Sequence, residues 1–142
     1  MLSRREAIKI ASASALTPVL LKADGTTVDI KNPNGKYALT KTKDGSLVAE
    51  SDKEDVRFRV GTSALLLRPK TQVSFKTDGA GIKTLKLITG GVMGVFAPGN
   101  KTIETKTFAA GIRGTGIYLE EHECDKNYIC LCYGKADYVA KN

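Results

Sequence analysis

A chain of 142 residues with 22 basic and 15 acidic side chains suffices for one small domain with a modest core. Tryptophan is absent and glycine occurs 14 times, while short runs rich in Thr, Val, Ile and Lys alternate with turn residues, which is typical of β structure. The basic residues are interspersed and form no run with interleaved aromatics, which argues against nucleic-acid binding. We expect them on the solvated face of a soluble domain, and weak attraction to an anionic membrane, glycan or cell-wall surface stays open.

Residues 1–23 have the layout of an export signal, with a basic start, an apolar middle and a small residue at the end. The segment Ser3-Arg4-Arg5-Glu6-Ala7-Ile8-Lys9 resembles the twin-arginine signal and departs from it only in the small Ala7. The apolar stretch from Ile10 to Leu21 is short for a membrane span, which needs about 20 apolar residues. We therefore predict a twin-arginine-type leader, cleaved after Ala23, and a periplasmic protein. An uncleaved leader would instead anchor the protein to the membrane.

From Asp24 onward, turn signals recur at short intervals and separate strand-like runs, and no stretch shows a sustained helical period. We expect residues 24–142 to form one all-β domain, either a sandwich or a short solenoid of stacked strands. The pattern predicts strands at about 27–30, 37–41, 47–50, 56–60, 64–67, 72–76, 82–88, 92–96, 101–105, 108–113, 116–122, 128–133 and 136–139.

Three motifs follow one another in this part of the chain. They are Val60-Gly61-Thr62-Ser63-Ala64-Leu65-Leu66-Leu67-Arg68-Pro69-Lys70-Thr71-Gln72-Val73, Leu87-Ile88-Thr89-Gly90-Gly91-Val92 and Thr105-Lys106-Thr107-Phe108-Ala109-Ala110-Gly111-Ile112-Arg113-Gly114-Thr115-Gly116. In this order they resemble the periplasmic domain of FecR-type proteins. Arg113, Gly114 and Thr115 match the most specific part of that family's signature. Phe108 stands where the family usually has a proline. The resemblance covers about 56–139 and implies an all-β periplasmic fold.

FecR-type proteins that regulate sigma factors combine this domain with a cytoplasmic helical domain, a membrane helix and a region that meets an outer-membrane transporter. This chain shows only the domain behind a leader, so we expect no direct contact with a sigma factor. We predict an exported, non-enzymatic binding or scaffold module of the cell envelope. Its partner would be a protein, an envelope polymer or a small ligand, and a sensory role through a partner protein stays open.

The stretch from Gly111 to Gly134 holds all three cysteines and the single histidine. Apolar residues alternate on both sides of a polar break at Asp125, Lys126 and Asn127, which predicts a β-hairpin. The histidine and the cysteines are all even-numbered, so they share one face of the hairpin if its loop has odd length. A two-residue loop would separate them. These residues are His122, Cys124, Cys130 and Cys132.

Three thiolates and an imidazole suit Zn²⁺, Cu⁺ or an iron–sulfur centre, because these metals prefer soft sulfur ligands. His122, Cys124, Cys130 and Cys132 therefore define an alternative function as a periplasmic metal-binding or redox protein. The other interpretation is one disulfide with a free thiol, or buried thiols. In a regular strand Cys130 and Cys132 would lie about 6 to 7 Å apart, at or beyond the disulfide range. Cys124 is thus the better partner for Cys130 or Cys132.

Two further patterns in this stretch resemble functional motifs. The glycines from Gly111 to Gly116 lack the order and the following helix of a dinucleotide-binding loop. We expect a tight turn or bulge there, in which Arg113 hydrogen-bonds backbone carbonyls or pairs with a carboxylate. The acidic residues of the hairpin have no second histidine or activated nucleophile beside them, so we expect a solvated tip. They are Glu120, Glu121, Glu123 and Asp125.

Overall fold

The computed structural model describes the backbone of residues 7–14, 19–23, 26–31, 36–122 and 126–140, and the side chains of the last two ranges. The regular secondary structure of these residues consists entirely of β-strands. The described part of the chain therefore contains no helix long and apolar enough to cross a membrane. The all-β prediction is confirmed. The strands are β1 (Ala7–Ser14), β2 (Val19–Ala23), β3 (Thr26–Lys31), β4 (Lys36–Thr42), β5 (Leu47–Ser51), β6 (Val56–Val60), β7 (Ser63–Leu67), β8 (Gln72–Thr77), β9 (Ile82–Val95), β10 (Lys101–Glu104), β11 (Phe108–His122) and β12 (Lys126–Ala140).

Hydrogen bonds link these strands into one 12-stranded sheet. The first part of β9 pairs with β8 and, in parallel, with β10, whereas its last part pairs with β7 and β11. β11 likewise pairs first with β10 and then with β9. These long strands therefore belong to both halves of a folded sheet. The first half continues from β8 to β5, β4 and β1, and the second continues from β7 to β6, β3 and β2.

A glycine lies where each long strand passes from one half of the sheet to the other. Gly90 in β9, Gly114 in β11 and Gly134 in β12 have φ angles of 89°, 49° and 93°. The alternation of buried residues along β9 also shifts by one position at Gly90, so that the odd-numbered Leu87 before it and the even-numbered Val92 after it are both buried. Glycine adopts this left-handed conformation without the strain that a Cβ would cause. The three glycines thus allow the strands to bend, as corner strands between packed sheets do.

Among the residues whose side chains are described, the two halves of the sheet enclose one buried hydrophobic cluster. Tyr37 of β4 and Phe58 of β6 belong to opposite halves, yet their rings meet edge to face with centroids 6.2 Å apart. Phe75 from the first half and Ile117 from the second are each 1% exposed. Burial of a side chain of this size contributes about 1.5–3 kcal/mol. The halves therefore face each other as the two layers of a sandwich.

β1 and β2 lie at the two ends of the strand order. β1 pairs with β4, and β2 pairs with β3, both antiparallel. Both strands fall within the residues predicted as an export leader. Strand pairing in the full chain does not test export or cleavage, so the leader stays a prediction. Its removal would leave β4 and β3 as the outermost strands.

Candidate functional site

β11 and β12 form a hairpin around residues 123–125. His122 pairs with Lys126, so three residues connect the strands and cross-strand partners have numbers of equal parity. The odd loop length on which the shared-face prediction depended is thus confirmed. Ile117 and Leu119 are buried, whereas the intervening Tyr118 lies on the outer face. The outer face of the hairpin is therefore the candidate site.

Tyr118, Glu120 and His122 form a hydrogen-bonded row along the outer face of β11. The Tyr118 hydroxyl donates to Glu120 Oε1 at 2.6 Å, and His122 Nε2 lies 2.7 Å from Glu120 Oε2. The hydrogen bond from the Tyr118 hydroxyl is the strongest of the interactions that lower the pKa of Glu120. Desolvation, together with a smaller contribution from the hydrogen bond and charge of Glu120, raises the pKa of Tyr118 to about 12. Neither shift brings a proton donor or acceptor close to neutral pH, where acid–base catalysis is most effective.

Gly91 in the neighbouring strand β9 makes room for this row. A Cβ atom at Gly91 would lie 2.8 Å from the Tyr118 hydroxyl and 3.3 Å from the Cγ atoms of Arg68 and Glu120. Arg68 pairs with Asp55 at 3.0 Å, and both side chains are exposed. An ion pair of this kind contributes at most about 1 kcal/mol. It places a guanidinium beside the row and adds little to stability.

The structure separates the histidine from the two described cysteines. Cys130 pairs with Tyr118, whereas His122 pairs with Lys126, four residues along each strand. His122 and Cys130 are therefore about 13 Å apart along the direction of the strands. Among the described residues, no group of three or more His, Cys, Asp or Glu side chains could hold a metal ion. Cys124 lies outside the described residues, so a zinc, copper or iron–sulfur centre stays a prediction that depends on it.

Cys130 and Cys132 are free, exposed thiols. The expectation of buried thiols is wrong for these two cysteines, because β12 lies at the edge of the sheet and most of its side chains face solvent. No disulfide joins them in this structure. The predicted pairing of Cys124 with either of them stays a prediction, since Cys124 is not described.

Arg113, Gly114 and Thr115 occupy the bend of β11. The hairpin register shifts directly after Arg113, which confirms the predicted bulge. Thr115 is fully buried, and its carbonyl accepts a 2.8 Å hydrogen bond from the Phe96 amide. Arg113 is exposed opposite Lys135 and pairs with no carbonyl or carboxylate of the described residues. The described residues supply no partner of the kind expected for Arg113, because its side chain lies on the solvent side of the bend.

Sequence reasoning missed the outer edge of β12 as a candidate site. β12 is 15 residues long and pairs only with β11 among the described strands. Its backbone N–H and C=O groups along that edge are available to another strand. The sequence signal was a proline-free run, 128–139, in which only Lys135 and Asp137 are charged. Its exposed large apolar side chains are Tyr128, Leu131, Tyr133, Tyr138 and Val139, which are 38–66% exposed.

Apolar residues continue from β12 across the outer face of the second half of the sheet. Cross-strand pairing aligns Leu66, Met93, Tyr118 and Cys130 in one row. Met93 is 37% exposed. Arg57 of β6 pairs with Leu66 and adds a positive charge to the row. The β12 edge is therefore flanked by a further apolar surface.

No family model, curated protein or solved structure matches this chain. The FecR-type resemblance rests on the three sequence motifs and stays a prediction. The candidate site is defined by the geometry of the hairpin alone.

Proposed function

We propose that the chain is an exported, non-enzymatic, FecR-like binding module of the cell envelope, which binds an extended segment of a partner protein along β12. The observation that carries this proposal is the 15-residue edge of β12, paired on one side only among the described strands. A peptide that adds a strand to a sheet edge gains affinity from main-chain hydrogen bonds and specificity from alternate side chains.

A peptide suits this surface better than a small ligand does. Pockets for small molecules usually hold about 300–1,000 Å³. A shallow cavity of the described structure holds about 240 Å³ and lies away from β12. It is lined by Lys36, Tyr37, Ala38, Glu50, Ser51 and Asp52. An extended peptide needs no such enclosed volume, because the free edge supplies its hydrogen-bond partners.

The length of regular strand limits the size of the bound segment. A bulge interrupts β12 near Cys132, which leaves regular runs at 126–131 and 135–140. The free sheet edges of soluble proteins are usually protected by proline or by charged residues. β12 contains no proline, and its charged residues are Lys126, Lys135 and Asp137. We expect the partner to pair with one of the two six-residue runs.

Site-specific photocrosslinking in the native host tests this proposal. A photoreactive amino acid at Tyr128 or Tyr138 should form an adduct with one partner protein, whereas the same group at exposed Lys83 in β9 should not. Adding charge to the edge with Leu131→Lys and Val139→Lys should abolish the adduct, since charged edge residues oppose strand addition. Equal adducts from Lys83, or an adduct unaffected by the charged variant, would contradict β12 as the binding element.

The export and non-enzymatic parts of the proposal have separate tests. Replacement of Arg4 and Arg5 by Lys should retain the protein in the cytoplasm, and the exported protein should begin at Asp24. Normal export of the Arg4→Lys, Arg5→Lys variant would remove the leader from the proposal without affecting the β12 edge. Reproducible hydrolytic turnover by the purified protein would refute the non-enzymatic assignment.

A further inference from the structure

The register of the β11–β12 hairpin contains a bulge beside the described cysteines. Gly116 pairs with Tyr133, and the next residue of β11, Ile117, pairs with Leu131. Two steps of β12 therefore span one step of β11, and Cys132 is the extra residue. The advance of the chain per residue is about half that of a regular strand at this point.

This bulge brings Cys130 and Cys132 closer together than a regular strand would. Residues i and i+2 of a regular strand lie about 6.6 Å apart. Disulfides span Cα distances of about 4.4–6.8 Å, so such a pair is at the limit of the range. The bulge shortens the advance of β12 between Leu131 and Tyr133, so Cys130 and Cys132 lie closer together along the strand than an i, i+2 pair of a regular strand. The spacing that argued against this pair in a regular strand does not apply at the bulge.

The two cysteine side chains also influence one another and are accessible. Cys132 Sγ lies 4.0 Å from the carbonyl oxygen of Cys130. Loss of solvent, followed by the neighbouring Cys130 thiol, raises the pKa of Cys132. Cys132 therefore forms the thiolate, which is the reactive form of a thiol, less readily than an unperturbed cysteine does. Both thiols are exposed, so a second molecule can reach them.

We propose that Cys130 and Cys132 form a disulfide-exchange site whose co-substrate is the disulfide of another protein or of a small thiol compound. The Cys130 thiolate attacks one sulfur of that disulfide, whose S–S bond breaks, and the other sulfur leaves as a thiolate. Cys132 then loses its proton to solvent and attacks the Cys130 sulfur of the mixed disulfide. The second co-substrate sulfur leaves as a thiolate. The two cysteines are oxidised by two electrons, and the co-substrate is reduced to two thiols.

The resulting disulfide is suited to exchange more than to stabilising the fold. It closes a loop of only three residues, and the stabilisation from a disulfide decreases as its loop becomes shorter. Strained or exposed disulfides are reduced more readily than structural ones. This site is independent of the proposed strand addition, because it requires only access to the two thiols.

Peptide mapping after equilibration with glutathione tests the proposal. The full chain is equilibrated with mixtures of reduced and oxidised glutathione, quenched with acid, alkylated and digested with trypsin. Cleavage after Lys126 separates Cys124 from a peptide, 127–135, that contains both Cys130 and Cys132. As the mixture becomes more oxidising, peptide 127–135 should lose two hydrogens and resist alkylation, while Cys124 remains alkylated.

Two variants separate the steps of the exchange. Cys124→Ser should leave the result unchanged. Cys132→Ser should accumulate a glutathione adduct on Cys130, because the second thiol is missing. A disulfide between Cys124 and peptide 127–135, or stable glutathione adducts on both Cys130 and Cys132 in the unmodified chain, would overturn the proposal. Photocrosslinking at Tyr138 should persist in a Cys130→Ser, Cys132→Ser variant, so failure of this proposal and failure of the binding proposal are distinguishable.

Discussion

Replacement of Gly90 by Ala tests the bend that carries β9 from one half of the sheet to the other. Gly90 has a φ of 89°, and a Cβ atom there would lie 2.7 Å from Thr71 Cα. Thr71 is buried, and its Oγ1 accepts a 3.0 Å hydrogen bond from the Gly91 amide and donates to the Gly91 carbonyl at 3.1 Å. The added methyl group can be accommodated only if Thr71 moves and these bonds lengthen.

The expected cost of Gly90→Ala has two parts. A left-handed conformation costs a residue with a Cβ about 1–2 kcal/mol. Each of the two Thr71 hydrogen bonds contributes about 0.5–1.5 kcal/mol. The free energy of unfolding should therefore fall by about 2–5 kcal/mol, a large share of the about 5–15 kcal/mol typical of a domain.

Two other glycines supply matched controls for Gly90→Ala. Gly45 has a φ of 87°, and a Cβ atom added there would have nothing within 4 Å, so Gly45→Ala should cost only the left-handed strain of about 1–2 kcal/mol. Gly111 has open space and no left-handed φ, so Gly111→Ala should stabilise by about 0.4–1 kcal/mol. Urea unfolding followed by circular dichroism measures all three variants. A Gly90→Ala cost no larger than that of Gly45→Ala would refute the packing of Thr71 against the bend.

Three further predictions concern the hairpin and the turn that follows β8. Ile117→Ala should lower the free energy of unfolding by about 2–5 kcal/mol, because Ile117 is 1% exposed. Leu131, its cross-strand partner, is 38% exposed, so Leu131→Ala should lower it by less than about 1 kcal/mol. A larger loss from Leu131→Ala than from Ile117→Ala would contradict the register. Backbone hydrogen bonds lower the pKa of Asp78 from 3.8 to about 2, so its contribution to stability is present above pH 3.8 and is lost as pH falls towards 2. Asp78→Asn should abolish that part of the stability–pH profile, and an unchanged profile would disprove it. Glu120→Gln should lower the Tyr118 pKa from about 12 towards, but not to, 10.0 in a spectrophotometric titration, whereas an unaltered value would show that solvent loss alone causes the shift.

Several features of the molecule follow from the sequence alone. Turn residues and apolar alternation predicted an all-β chain, and most of the predicted strands lie at the observed positions. The polar break at Asp125, Lys126 and Asn127 predicted the β11–β12 hairpin, and the glycines from Gly111 to Gly116 predicted a tight turn or bulge. These features depend on side-chain periodicity and turn chemistry within a few residues, so they can be recognised without knowledge of distant contacts.

The continuity of the long strands was decided by tertiary structure. The sequence predicted breaks near Gly90, Gly114 and Gly134, where the structure has continuous strands that bend. A glycine indicates that the backbone can adopt a left-handed conformation, but it does not indicate whether the chain reverses or continues. That outcome depends on which strands supply hydrogen bonds on either side, and those strands are distant in the sequence.

Tertiary structure also decided which parts of the hairpin are accessible. Residue parity placed His122 and Cys130 on one face, yet their positions in the register keep them apart. The same alternation occurs in the buried β11 and in the exposed β12. Alternation identifies the two faces of a strand, whereas exposure depends on whether another layer covers it. Only the packing of the two halves of the sheet determined that Ile117 belongs to the core and that the β12 edge, with its two thiols, faces solvent.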